Sequence, residues 1–233
     1  MTVELRESTT AHGIPAPSGD RNRELELTIE LNSLAKVSQA WHPRVVEILN
    51  EYSSIPLTQD KVVNAIYQVT GYRSWKDLSA FVVDDMCSEF FNMCLKYCVK
   101  TGQEHVENLG FIDGSGIGYL SFYRDRLKVV LEQAFDAKYY FQQTRPLVYA
   151  LEDKGIDLSN VANAIHPGHW SYPAGHGTKF LCSVECLNQV FNLTDEAYEI
   201  LLIAAIVASH GRSGNLIHFP EDNCAAISLL NLR

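Results

Sequence analysis

Residues 194–208 read Thr-Asp-Glu-Ala-Tyr-Glu-Ile-Leu-Leu-Ile-Ala-Ala-Ile-Val-Ala. Thr194 has the side chain of a helix N-cap, able to accept an amide left free in the first turn. Asp195 and Glu196 follow, where the helix dipole favours acids. From Ile200 to Ala208 no polar residue interrupts the run. It reads as a helix buried in a core, and it is far short of the roughly 20 apolar residues that cross a bilayer.

The same helical period spreads outward from this stretch. Gly175 to Phe191 reads as helix. Tyr119 to Gln143 carries a stripe of Leu120, Tyr123, Leu127, Val130, Leu131, Ala134 and Phe135. Ser74 with Asp77 marks the start of a long helix through Phe81, Phe90, Leu95 and Val99. A shorter helix is expected within 57–69. Leu25 to Val37 begins the periodic part of the chain, and Pro43 ends or kinks that first helix. A last short helix is expected from Pro220 to about Leu230. No strand pattern or internal repeat stands out. The fold class is all-α, a helical bundle.

Two breaks punctuate the helices. Residues 102–118 hold Gly110, Gly114, Gly116 and Gly118, and read as a helix connection rather than a phosphate loop, because no Gly-Lys-Ser/Thr follows. Residues 144–174 form a long loop rich in Pro, Gly, His and Asn, a kind of segment that is often functional in a compact domain. Residues 1–20 are polar and turn-rich and are expected as a flexible or surface-draped arm. Residues 21–233 are then one helical domain.

The chain has 233 residues, a hydrophobic fraction of 46%, a formal net charge of −9 and a pI near 5.3. Such a surface repels nucleic acid, and no basic arm offsets it. Any anion site must be local and built from converging cations. Met1 to Arg6 shows no signal peptide, so a cytoplasmic protein not integral to a membrane is expected. Cys87, Cys94 and Cys98, and Cys182 with Cys186, have one-face helical spacing and read as buried thiols. Asp84, Asp85 and Glu89 read as a solvated face, and no metal ligand set is expected.

Three stretches bring chemistry together. Lys138 and Arg145 are two helical turns apart, and Pro146 stops the helix beside Arg145. In Pro173-Ala174-Gly175-His176 a helix begins, so its first amides favour an anion beside His176. Arg212 and His218 precede Asp222, which Pro220 places one turn inside a helix, within reach of the His218 ring. A carboxylate on one ring nitrogen leaves the other as a directed nucleophile. Upstream lie His166, His169, Trp170 and Tyr172, an aromatic, His-rich loop suited to a leaving group or a halide-oxidising pocket. Lys179 follows one turn after His176, and His210 reads as a helix end.

These stretches, Lys138-x6-Arg145-Pro146, Pro173-Ala174-Gly175-His176 and Arg212-x5-His218-x3-Asp222, resemble the motifs of the type 2 phosphatidic acid phosphatase and vanadium haloperoxidase superfamily. That pattern is Lys-x6-Arg-Pro, Pro-Ser-Gly-His and Ser-Arg-x5-His-x3-Asp, and the match covers about residues 119–230. The resemblance implies an oxyanion site between helices of the C-terminal half, where Lys138, Arg145, Gly175 and Arg212 bind the oxyanion oxygens. It makes His218 the nucleophile, His176 the acid and base, and Asp222 the group that orients His218. The compact layout looks like the acid phosphatases of the superfamily. The implied activity is hydrolysis of a small phosphorylated substrate, a phosphomonoester, through a phosphohistidine, with no metal or other cofactor. The alternatives are a haloperoxidase in which the same residues hold vanadate, with His218 as its ligand, and a non-catalytic phosphate-binding or interaction protein. Two positions depart from the pattern. Ala174 lacks the usual Ser hydroxyl, and Gly211 stands where a Ser precedes the arginine and is expected to loosen the backbone. The short closing helix leaves an edge that a partner subunit would cover in a homo-oligomer.

Overall fold

A computed structural model describes residues 10–11, 14–18, 20–37, 40–83, 86–101, 117–158 and 168–228. Gly110, Gly114, Gly116, Asp84, Asp85 and His166 lie outside them. Helix makes up 71% and strand 1%, so the fold is all-α. The chain runs through α1 (Arg21–Val37), α2 (Pro43–Glu51), α3 (Gln59–Thr70), α4 (Trp75–Phe81), α5 (Cys87–Lys100), α6 (Ile117–Phe141), α7 (Pro146–Val148), α8 (Gly175–Phe191), α9 (Asp195–His210) and α10 (Pro220–Ser228). No helix among the described residues is long and apolar enough to cross a membrane.

The boundaries follow local chemistry. The Thr194 hydroxyl accepts from the Ala197 amide at 3.3 Å, as the cap reading expects. Pro43 stands at the first turn of α2, where its missing amide costs nothing. Gly71 closes α3 with φ 79°, a left-handed backbone that glycine adopts without a Cβ clash.

Helix α8 is the hub. It packs against α5, α6, α9 and α10, while α9 also lies along α3. The Ile200–Ala208 run, apart from the partly buried Leu202, is buried here with Phe180, Leu181, Phe90, Phe91 and Ile66 in one core cluster. Five of the six cysteines are buried, and all six are free thiols.

Three readings are corrected. The helix expected from Ser74 to Val99 is broken in two, α4 and α5. The carbonyls of Val82 and Val83, at the end of α4, accept from Arg212 Nη1. A partner 130 residues away thus takes over bonds that a continuous helix would have made internally. The loop 144–174 contains α7 and a π-helical stretch, Tyr149–Asp153. In the expected flexible arm, Thr10–Ala11 pairs antiparallel with Ile14–Pro15, and Ile14 is fully buried beside Ala134, Ala137 and Tyr172.

Candidate active site

Lys138 leaves the last turn of α6 and is 1% exposed. Its ammonium donates to the carbonyls of Trp170 and Ser171, each at 2.8 Å. Two of its three donors are thus used, and the third is left for the cavity. Burial, then the charge of Arg145, pulls its pKa from the usual 10.5 down to about 7.

Arg145 caps α7 with extended backbone and is held on every side. Its Nε donates to the His169 carbonyl at 3.1 Å and Nη1 to the Ile217 carbonyl at 2.7 Å. Nη2 meets His169 Nδ1 at 3.2 Å and the Trp170 carbonyl at 3.4 Å. Burial lowers its pKa to about 10, which still leaves the guanidinium charged at neutral pH. Arg212 follows α9 and is 3% exposed, anchored by the end of α4.

His218 is 1% exposed. Its Nε2 lies 3.5 Å from Arg145 Nη1, at the outer limit of a hydrogen bond. A guanidinium only donates, so Nε2 is the ring's acceptor and Nδ1 carries the proton. Nδ1 is 3.2 Å from the Ser171 hydroxyl and 3.4 Å from Asp222 Oδ2. Burial, then Arg145, holds the imidazole well below its ordinary pKa, so it is neutral with a free electron pair at physiological pH.

Asp222 is fully buried behind that ring. Its Oδ2 accepts from the Phe219 amide at 3.0 Å and from the Ser171 hydroxyl. Its Oδ1 accepts from Arg21 Nη1 at 3.3 Å. Burial alone would raise its pKa. The His218 hydrogen bond, the Arg21 charge and the Ser171 bond outweigh that and hold it at about 2.

The turn between α9 and α10 sets these positions. Leu216 takes a left-handed backbone, φ 58°, unusual for a non-glycine residue. Its buried side chain packs with Leu147 and Phe219, which sustains the conformation. Asn32 Nδ2 donates to the Gly214 carbonyl and Asn215 Nδ2 to the Ser79 carbonyl, pinning the turn to α1 and α4. An added Cβ at Gly211 would come within 2.4 Å of Val82 Cγ2. Gly211 has ordinary helical angles, φ −56° and ψ −27°. It is there for close packing, not for the loosened backbone expected from the sequence.

Six of the seven expected site residues, Lys138, Arg145, Gly175, His176, Arg212 and His218, line one cavity of ≈ 120 Å³. The seventh, Asp222, stands behind His218. Gly175 opens α8 on this cavity, and a Cβ there would meet nothing within 4 Å. His169 and Lys179 complete the polar wall, with Leu131 and Phe135 as its apolar part.

No protein-family model, curated protein or solved structure matches the chain.

Of the other residues noted in the sequence, Tyr172 donates to the Pro15 carbonyl at 2.6 Å and takes no part in the cavity. His210 is buried at the end of α9 and bonds the Ile206 carbonyl at 2.8 Å. Ser171 and Arg21 were missed. A serine in a polar loop, and an arginine at the edge of an expected arm, carry no pattern that ties them to Asp222. Among the described residues no group of three or more His, Cys, Asp or Glu is disposed to hold a metal ion.

The arrangement suits a tetrahedral oxyanion. Four cationic side chains and the start of a helix surround a small cavity, and one neutral imidazole presents a lone pair to it. His176, on the first turn of α8, lies on the same wall.

Proposed function

We propose that the chain is a phosphoric monoester hydrolase that works through a phosphohistidine on His218. One observation carries this reading. His218 Nε2 faces a cavity walled by Lys138, Arg145 and Arg212, while its Nδ1 is held by Ser171 and Asp222. An imidazole so held is a directed nucleophile, not a structural core histidine.

Phosphate oxygens take the third donor of Lys138, the Arg212 side and the first amides of α8. They also replace the two longest bonds of Arg145, 3.4 Å to the Trp170 carbonyl and 3.5 Å to His218. His218 Nε2 then bonds to phosphorus as the phosphorus–oxygen ester bond breaks. His176, as imidazolium, gives its proton to the departing alkoxide. The ring of His218 becomes cationic and keeps its Nδ1 proton, stabilised by Ser171 and Asp222. Water next attacks phosphorus and loses a proton to neutral His176. The phosphorus–nitrogen bond breaks and inorganic phosphate leaves, with both imidazoles restored.

The test is hydrolysis of p-nitrophenyl phosphate with and without vanadate, beside acid-labile phosphate trapping on the protein. Hydrolysis that vanadate inhibits, and that His218→Ala abolishes, is expected. A His218→Ala protein with full activity would remove the proposed nucleophile.

A second reading, a vanadium-dependent haloperoxidase, is favoured by His169. Phosphoryl transfer uses two imidazoles, yet a third lines the cavity. The cations fit vanadate oxygens as well as phosphate oxygens, and His218 Nε2 would hold its vanadium. When bound, vanadate supplies Lewis-acid activation of peroxide. Halide oxidation with vanadate and peroxide, without ester hydrolysis, would decide for this reading.

A further inference from the structure

Beside the anion cavity lies a second, larger hollow of ≈ 410 Å³ that shares Arg145 and His169 with it. Part of its remaining wall comes from residues close in sequence to the cavity's cations, and Val148, Gly168 and Trp170 supply the rest. Tyr139 follows Lys138 on α6, and Gln143 and Thr144 precede Arg145. Trp170 is tied to Lys138 through its carbonyl, which accepts from Nζ at 2.8 Å, a bond that an anion in the cavity leaves in place. The residue is therefore held next to a group that would bind the anion. Whatever is esterified to a phosphoryl group in the cavity meets this hollow next.

We propose that this groove is the subsite for the organic part of the ester, and that it takes a flat, uncharged aromatic or heteroaromatic ring. The proposal rests on the phosphomonoester reading for the anchoring of the anion alone. Among the described residues the groove wall holds no carboxylate and no lysine, so a charged body finds no partner beyond Arg145. Tyr139 and Trp170 offer ring faces, which bind flat rings better than puckered ones of equal size. The Gln143 and Thr144 side chains supply donors and acceptors for the edge of a heterocycle. A polyphosphate would leave the rings without use and its further charges without a cation beyond Arg145.

Two phosphonates test this without turnover. 2-Phenylethylphosphonate and 2-cyclohexylethylphosphonate share head group, charge and size, and differ in flatness. Calorimetry on the full chain is expected to show the phenyl compound binding about tenfold tighter, the scale of one good ring contact. Tyr139→Ala and Trp170→Ala are expected to bring the ratio close to one, and Trp170→Phe to retain most of it. Tyr139 is 64% exposed, so its substitution reads the groove without threatening the fold. Equal binding in the unaltered protein, a ratio untouched by both alanine variants, or no binding of either compound overturns the proposal. Hydrolysis of 2-phenylethyl phosphate is measured alongside. Selective phosphonate binding with no hydrolysis sinks the phosphatase reading and leaves the groove standing. Hydrolysis with equal phosphonate binding does the reverse.

Discussion

Lys138 carries its charge where water barely reaches. Two carbonyls offset part of that cost, but burial and the neighbouring Arg145 still bring its pKa to about 7. The sign of the consequence is fixed. Below pH 7 the empty site holds the ammonium; above it the proton is lost unless an anion is present to keep it. Sulfate stays a dianion across this range, so its binding reads the protein alone. Its affinity is expected to fall by up to about tenfold per pH unit above 7, with proton uptake on binding. Arg145 keeps its charge through this window, His169 is held neutral by its burial, and Arg212 and Lys179 complete the cationic wall. Calorimetry in two buffers of different ionisation enthalpy measures the uptake, and Lys138→Met should remove the part that this ammonium contributes. At the same scale, Ser171 and Asp222 share one task. Asp222→Asn is expected to cut kcat by roughly 10³–10⁴, because an amide can hold the ring in the wrong tautomer. Ser171→Ala leaves the carboxylate in place and should cost less, about 10-fold. Nitrogen-15 spectra of His218 would show the tautomer change in the first variant and not in the second.

At the scale of elements, the motif helices explain each other. The break between α4 and α5 exists where Arg212 takes the carbonyls of Val82 and Val83, and Gly211 lets the two segments touch. Replacing Gly211 with the serine of the resembled pattern puts a Cβ into Val82. It should destabilise by about 1–3 kcal/mol, the usual cost of overpacking, read as a shift of the urea midpoint at constant slope. Lost activity with unchanged stability would contradict this account. The same break shows what a sequence reading can and cannot reach. Helix caps at Ser74 and Thr194 and the apolar period of α9 are local signals, and they were legible. So were the cations and imidazoles of the cavity, because their spacing is fixed within each motif. The split of α4 from α5, and the serine and arginine that support Asp222, depend on partners 51 to 201 residues distant. No local period encodes such contacts.

At the scale of the molecule, the N-terminal segments brace a site built by the C-terminal half. Arg21 at the start of α1 lies over the Phe219 ring at 4.6 Å and donates to Asp222. Nearby, Ser18 and Glu24 bond to Glu221. Ile14 fills a gap beside Tyr172 and Ala225. Two substitutions separate electrostatic bracing from packing. Asp222 has its pKa depressed from 3.8 to about 2 in the fold. It therefore contributes stability that is present above 3.8 and lost as pH falls through 2. Arg21→Met removes one of its supports and leaves a buried carboxylate less compensated, a loss of about 3 kcal/mol at neutral pH. Its folded-state pKa rises, so acid unfolding should begin at a higher pH. Ile14→Ala instead opens a cavity and should cost about 2–5 kcal/mol with little dependence on pH. Urea midpoints from pH 3 to 7 distinguish them. The Arg21→Met deficit should shrink toward pH 3, as the carboxylate it supports takes up a proton, while the Ile14→Ala deficit stays level. Parallel profiles would mean that Arg21 acts by packing on Phe219 alone, and that the start of α1 has no electrostatic hold on the His218–Asp222 pair.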